Sequence, residues 1–266
     1  MSERDRWVSS LADRGVLRQL GIKVEGGGPH QSKTLMLDDL SVLIASGRET
    51  DAAQAVVVDN LLGKPSMRAR EASLYRLHQL YGVGGSEPIW RVLRDLWRRD
   101  AAGRPLYALL TALARDPMFR DGSSAVLDAS PGERVRWPAI AASFELLNPG
   151  RLSEKMAKSF SQNAASSWTQ AGFLRGAIRK ERVRSVPTPT SAALAALLAS
   201  LCGFGGQRLI ESRWLAVLDR PTEDRLALLR QAEGLGLVRV RSAGDVLEIE
   251  ARRQMAETLG VPELVS

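Results

Sequence analysis

The sequence predicts a mainly α protein, an N-terminal helical bundle followed by two winged-helix-like units with short β-hairpins. Three observations lead there. Apolar residues recur at helical spacing through most of the chain, between breaks rich in glycine and proline. Strand-like patterns occur only near residues 173–184 and 237–250, each after a run of helices. Pro131-Gly132 and Pro187-Thr188-Pro189 separate these runs. The division is an N-terminal extension (1–30), a bundle (31–130), a winged helix-turn-helix (131–186) and a second winged-helix-like unit (187–266).

The extension ends at Glu25-Gly26-Gly27-Gly28-Pro29, a backbone break. In the bundle, Leu35–Ile44 and Asp51–Leu62 read as helices, and Ser66–Tyr81 as a third that Gly82-Val83-Gly84-Gly85 stops. Ser86 can cap the next, with Pro88 in its first turn. Leu106–Ala114 and Ser123–Leu127 complete the bundle. Trp90, Trp97 and Tyr107 fall inside apolar stripes, so they read as core rather than as a base-stacking platform.

In the last unit, Thr190–Cys202, Gln207–Leu218 and Thr222–Glu233 read as helices. Leu237–Arg241, a turn at Ser242-Ala243-Gly244-Asp245, and Val246–Glu250 read as a hairpin. Its first strand carries Arg239 and Arg241, and its second Glu248 and Glu250. This unit is expected to bind protein or pack on its neighbour.

The 266 residues are 44% hydrophobic and 25% charged, enough apolar surface for real cores and not a disordered composition. The single cysteine, Cys202, excludes an internal disulfide framework and reads as a small buried residue. The start MSERDRWVSS has no apolar stretch suited to a signal peptide, and no run approaches the roughly 18–20 apolar residues of a membrane span. The expectation is a cytoplasmic protein away from membranes.

The formal charge is +7, and its distribution matters more than its size. Residues 1–150 carry a net +2, residues 151–184 a net +6 and residues 185–266 a net −1. One short segment therefore holds nearly the whole excess, which points to an anionic partner there.

Within that unit, Trp137–Leu147 reads as a helix ended by Asn148-Pro149-Gly150. Leu152–Phe160 reads as a short second helix capped by Ser153, with Lys155 and Lys158 outward. Ser161 is expected to cap a third from Gln162 to Ala171, whose exposed face would be Asn163, Ser166, Ser167 and Gln170. That face is polar yet uncharged. Amide and hydroxyl side chains can pair with base edges, and the tight turn before it suits a helix-turn-helix. The following stretch, with Arg175, Arg179, Lys180, Arg182 and Arg184, reads as a basic wing lying along phosphates. The expected contact set for double-stranded DNA is these five cations with Lys155, Lys158, Ser161, Gln162, Asn163, Ser166, Ser167 and Gln170.

The phrases Leu152-Ser-Glu-Lys-Met-Ala-Lys-Ser-Phe160, Asn163-Ala-Ala-Ser-Ser-Trp168 and Gly172-Phe-Leu174 resemble the helix-turn-helix core and wing entry of BrxA-type proteins. These are small DNA-binding accessory subunits of BREX phage-defence islands. The resemblance covers residues 35–220 at most and is strongest over 150–185. It implies a non-enzymatic DNA-binding role in prokaryotic defence, beside larger methyltransferase and ATPase partners.

No Walker loop, Rossmann fingerprint, HExxH or G-x-S-x-G is present. Gly203-Phe204-Gly205-Gly206 reads as a turn between helices, and Asp38-Asp39 as surface or cap residues. With only His30 and His78, acid–base chemistry has no evident home. The expectation is no enzyme, no catalytic residue, no metal and no cofactor. Two alternatives stand beside DNA binding: a winged-helix protein-interaction scaffold, and an RNA-binding helical protein.

Overall fold

The computed structural model describes residues 6–244 and 246–265; the first five residues, Asp245 of the expected hairpin turn and Ser266 lie outside it. The described chain is mainly helical, with two small antiparallel hairpins. The first half holds α1 (Arg14–Gln19), α2 (Leu37–Ala45), α3 (Met67–Tyr81), α4 (Pro88–Arg99), α5 (Arg104–Arg115), α6 (Pro117–Asp121) and α7 (Ser124–Leu127). Then come α8 (Trp137–Leu147), α9 (Glu154–Gln170) and the hairpin of β1 (Leu174–Arg175) with β2 (Glu181–Arg182). The remainder is α10 (Pro189–Leu201), α11 (Gly206–Ile210), α12 (Arg213–Ala216), α13 (Thr222–Glu233), the hairpin of β3 (Arg239–Ala243) with β4 (Val246–Glu250), and α14 (Arg252–Leu259).

Local chemistry explains most boundaries. The Ser66 hydroxyl accepts from the Ala69 N–H to start α3, and Gly82 ends it at φ 83°. Helix α4 begins at Pro88, but Glu87 occupies the capping position instead of Ser86 and makes no side-chain cap bond. Thr188 and Ser191 form a reciprocal capping box for α10. From Ala192 to Leu201 every α10 residue but Ser200 is a buried alanine or leucine, as expected of a helix apolar all round. It packs on α5 of the first half and on α12, α13 and α14 of the second.

Four expected helices come out differently, in three ways. Asp51–Leu62 yields only a π-helical turn, Gln54–Val58, after a single 3-10 turn. Three consecutive valines resist a regular helix there, and Asn60 at φ 54° reverses the chain. Gln207–Leu218 splits into α11 and α12, because the Ser212 hydroxyl accepts from the Leu215 N–H and restarts the helix. The third difference is the joining of two helices into α9, described below. Helix α14 is too polar to announce itself by periodicity.

One hydrophobic cluster runs from Trp7 to Leu264 through all four sequence segments. The N-terminal residues are part of it. Trp7 meets Trp214 edge to face at 4.8 Å, and the Trp214 Nε1–H donates to the Trp7 carbonyl at 2.7 Å. Trp90, Trp97 and Tyr107 are core residues, as is Cys202, whose thiol pKa burial pushes up to about 12. No described helix is long and apolar enough to cross a membrane.

Candidate nucleic-acid interface

The positions between 152 and 171 contain no glycine or proline, and they fold as one 17-residue helix. Ser153 caps α9 by accepting from the Met156 N–H, as the sequence suggests. Ser161 is not a cap. It lies mid-helix and completely buried, so the expected break into Leu152–Phe160 and Gln162–Ala171 does not occur. The turn that joins two helices here is 148–153, between α8 and α9, with Gly150 at φ 69°.

Joining the two helices changes which face is exposed. Asn163, Ser167 and Gln170 are turned onto the segment 29–37. Asn163 Nδ2 donates to the His30 carbonyl at 3.0 Å, and Ser167 Oγ accepts from the Leu35 N–H at 2.8 Å. Gln170 Oε1 accepts from the Leu37 N–H at 3.1 Å while its Nε2 donates to Thr34 Oγ1 at 3.1 Å. Segment 29–37 has only one 3-10 turn of its own, so its buried peptide groups need side-chain partners. The neutral polar residues supply them. Removing either amide, as Asn163→Ala or Gln170→Ala, is therefore expected to cost about 1–3 kcal/mol of stability in urea unfolding. Any affinity for DNA measured on the folded protein should not change.

The outward edge of α9 carries Lys158, Gln162 and Ser166, at i, i+4 and i+8. They face the first hairpin across a groove of about 620 Å³, whose walls include Arg134, Arg136, Trp137, Ser166, Ile178 and Lys180. Lys158 Nζ sits 5.8 Å from the Trp137 ring centroid, holding cation and aromatic at the rim. Lys155 lies on another edge of α9, beside Gln31, Ser32 and Arg76.

Arg134 and Arg136 join the groove from outside the basic segment 151–184. Their signal in the sequence is weak: Arg-Val-Arg is a period-2 pattern only three residues long. It makes a one-residue bridge, in which Arg134 pairs antiparallel with Glu181 and the Val135 N–H donates to the Lys180 carbonyl at 3.0 Å. Val135 is buried, and both arginines point outward without an ion pair among the described residues.

The cations of the hairpin divide. Arg179 is exposed near the tip and carries no ion pair among the described residues. Lys180 donates to Thr169 Oγ1 at 2.9 Å, and its partial burial lowers its pKa from the ordinary lysine value. Arg175, exposed, pairs with the half-buried Glu181 at 3.3 Å. Arg184 is exposed beyond β2 and does not line the groove. Arg182 points inward: its guanidinium is buried against Asp219, with Nη2–Oδ1 at 2.8 Å and Nη1–Oδ2 at 3.1 Å. It is a structural residue rather than a phosphate contact.

Comparison with known proteins finds no matching family model, no curated relative and no similar solved structure.

Away from the groove, the fold assembles one arrangement that the sequence conceals. His30 Nδ1 lies 2.7 Å from Asp116 Oδ2, and its Nε2 lies 3.0 Å from Ser167 Oγ. This is the hydrogen-bond order of an Asp-His-Ser triad. All three side chains are completely buried, and the Ser167 oxygen is already held by the Leu35 N–H. His30 stacks on Phe119 at 3.8 Å. The arrangement fastens segment 29–37 to α6 and α9. Burial works to raise the Asp116 pKa, but hydrogen bonds from the His30 ring and backbone and from the Phe119 N–H outweigh it and hold the group below the usual carboxylate value. Gly28 is needed beside it, since an added Cβ would stand 1.7 Å from Asp116 Oδ1.

The second hairpin provides an internal contrast. Arg239 faces Glu250 at 3.9 Å and Arg241 faces Glu248 at 3.7 Å, so its cations are matched across the strands.

Proposed function

We propose that this chain is a non-enzymatic protein that binds double-stranded DNA through the groove between α9 and the first hairpin. The observation that carries the reading is the gathering of Arg134, Arg136 and Lys180 around the neutral groups of Gln162 and Ser166. Lys158 stands beside the groove wall at Trp137, and Arg179 is next in the chain to the wall residues Ile178 and Lys180. None of the five has an acidic partner among the described residues. Cations without an internal counter-charge are available to phosphates, and short amide and hydroxyl groups between them to base edges. The order bridge strand, α8, α9, hairpin is that of a winged helix-turn-helix, with α9 as recognition helix and β1–β2 as wing. The helices α10 to α13 followed by the hairpin β3–β4 support a second winged-helix-like unit, whose paired charges suit packing or protein contact.

The pathway assignment has a separate basis. The resemblance of 152–174 to BrxA-type sequences supports a cytoplasmic accessory subunit or regulator of prokaryotic phage defence, with other defence proteins as partners.

The test is a salt series of duplex binding. About five phosphate contacts should cost the wild type roughly 10²–10³ in affinity between ~50 and ~200 mM salt. Changing Arg134, Arg136 and Arg179 together to glutamine should lower the slope of log K against log salt by about three and leave the melting temperature unchanged. The matched control, Arg239→Gln with Arg241→Gln, should bind as wild type. Equal binding by the groove variant, or a salt-independent affinity, would reject the proposal.

A further inference from the structure

The hairpin tip carries a feature that phosphate attraction does not explain. Ile178 is 93% exposed, the most exposed large hydrophobic side chain among the described residues. It stands next to Arg179 and lines the same groove as Arg134, Arg136 and Lys180. The backbone that presents it is held at both ends. Gly176 turns at φ 103°, where a Cβ would meet the Arg179 carbonyl oxygen at 2.2 Å. At the base, Leu174 is buried opposite the buried Arg182, and Lys180 is tied to Thr169. A β-branched side chain with few rotamers therefore projects from a braced loop.

We infer that Ile178 is a wedge that enters the minor groove of the bound duplex and partly unstacks one base step, so that the protein bends DNA as well as binding it. This rests on the DNA-binding reading above and adds to it. An apolar side chain flanked by cations suits such a wedge, because the cations hold the backbone on both sides while the aliphatic group replaces a stacking contact. The charge pattern argues against a second copy of the chain as the occupant. A two-fold contact through Ile178 would set Arg179 and its neighbours against themselves.

The experiment is ligase-mediated circularisation of linear duplexes shorter than the ~150-bp persistence length, where a bending protein raises the yield of circles whatever the sequence. Wild type at saturating occupancy should raise the yield at least about tenfold over free DNA, a scale set by the stiffness of so short a duplex. Ile178→Ala, at matched occupancy and with an unchanged melting temperature, should lose the enhancement, and Ile178→Leu should restore it. Binding measured in parallel separates the two claims. Wild type that binds with the expected salt slope but does not promote circles, or Ile178→Ala that promotes them equally, overturns the wedge and leaves DNA binding standing. Absence of duplex binding at low salt overturns both. Loss of protein self-association in Ile178→Ala with circularisation intact would assign the side chain to a second copy and overturn the wedge.

Discussion

Replacing Asp219 by alanine is expected to destabilise the whole protein by about 3–5 kcal/mol, the cost of leaving a buried guanidinium without its counter-charge. Arg182 has no other acidic contact among the described residues. Its Nε donates to the Val126 carbonyl at 2.9 Å, an Nη also reaches the Val183 carbonyl, and the group lies 4.8 Å from the Phe173 ring centroid. Asp219 holds its position at φ 54° and accepts from the Ser185 N–H at 2.9 Å as well, so the substitution also frees the chain leaving β2. For a domain whose total stability is typically about 5–15 kcal/mol, the loss is severe. Urea unfolding would read it as a lower midpoint with little change in slope. Adding Arg182→Met to Asp219→Ala should recover part of the loss, because the unpaired charge disappears with the arginine. A cost below about 1 kcal/mol, the level of a surface pair, would show that the ion pair does not anchor the hairpin.

The same arginine shows why the fold is more legible in the sequence than the site. Helices with apolar stripes, such as α8, α13 and the Ser66-capped α3, and the alternating strands β3 and β4 carry their boundaries in local residue order. The first hairpin's inward and outward faces depend on register, which local order does not contain. Leu174 pairs with Arg182 and Arg175 with Glu181. Cross-strand partners share a face, so the burial of Leu174 takes Arg182 inward with it. Two residues per strand are too few to show that pattern in advance.

The neutral face of α9 is ambiguous in sequence for a related reason. Asn163, Ser167 and Gln170 have the chemistry to pair with a base edge, and a peptide group offers them the same donor and acceptor. Which of the two they meet depends on segment 29–37, more than 120 residues earlier in the chain. A helix-breaking Ser161 would have turned them outward, but serine inside a run of good helix formers does not break a helix. The charge excess is read more securely because electrostatics tolerates small errors of placement. Lys180 lines the groove and Lys158 stands by its Trp137 wall, Arg179 adjoins it at the hairpin tip, and Arg134 and Arg136 join from across the bridge.

The second large effect lies on that inward face. His30→Ala should cost about 3–5 kcal/mol, since it removes the ring from the buried Asp116 carboxylate and leaves only the backbone donors of residue 30 and Phe119. Its pH dependence has a definite sign. The folded-state pKa of Asp116 is depressed, so its ionisation stabilises the fold above the ordinary carboxylate pKa of about 4. That contribution falls away as pH drops through the folded value, because the unfolded chain takes up the proton first. Wild type should lose stability on acidification below about pH 4, whereas Asp116→Asn should begin less stable at neutral pH and show a flatter profile in that window. A wild-type profile identical in shape to that of Asp116→Asn would mean that the carboxylate gains nothing from its burial with His30. Duplex affinity per folded molecule should stay the same in His30→Ala, since the groove opens on the other edge of α9. A protein that kept its stability yet lost DNA binding on this change would place the nucleic-acid surface at segment 29–37 and sink the groove as the interface.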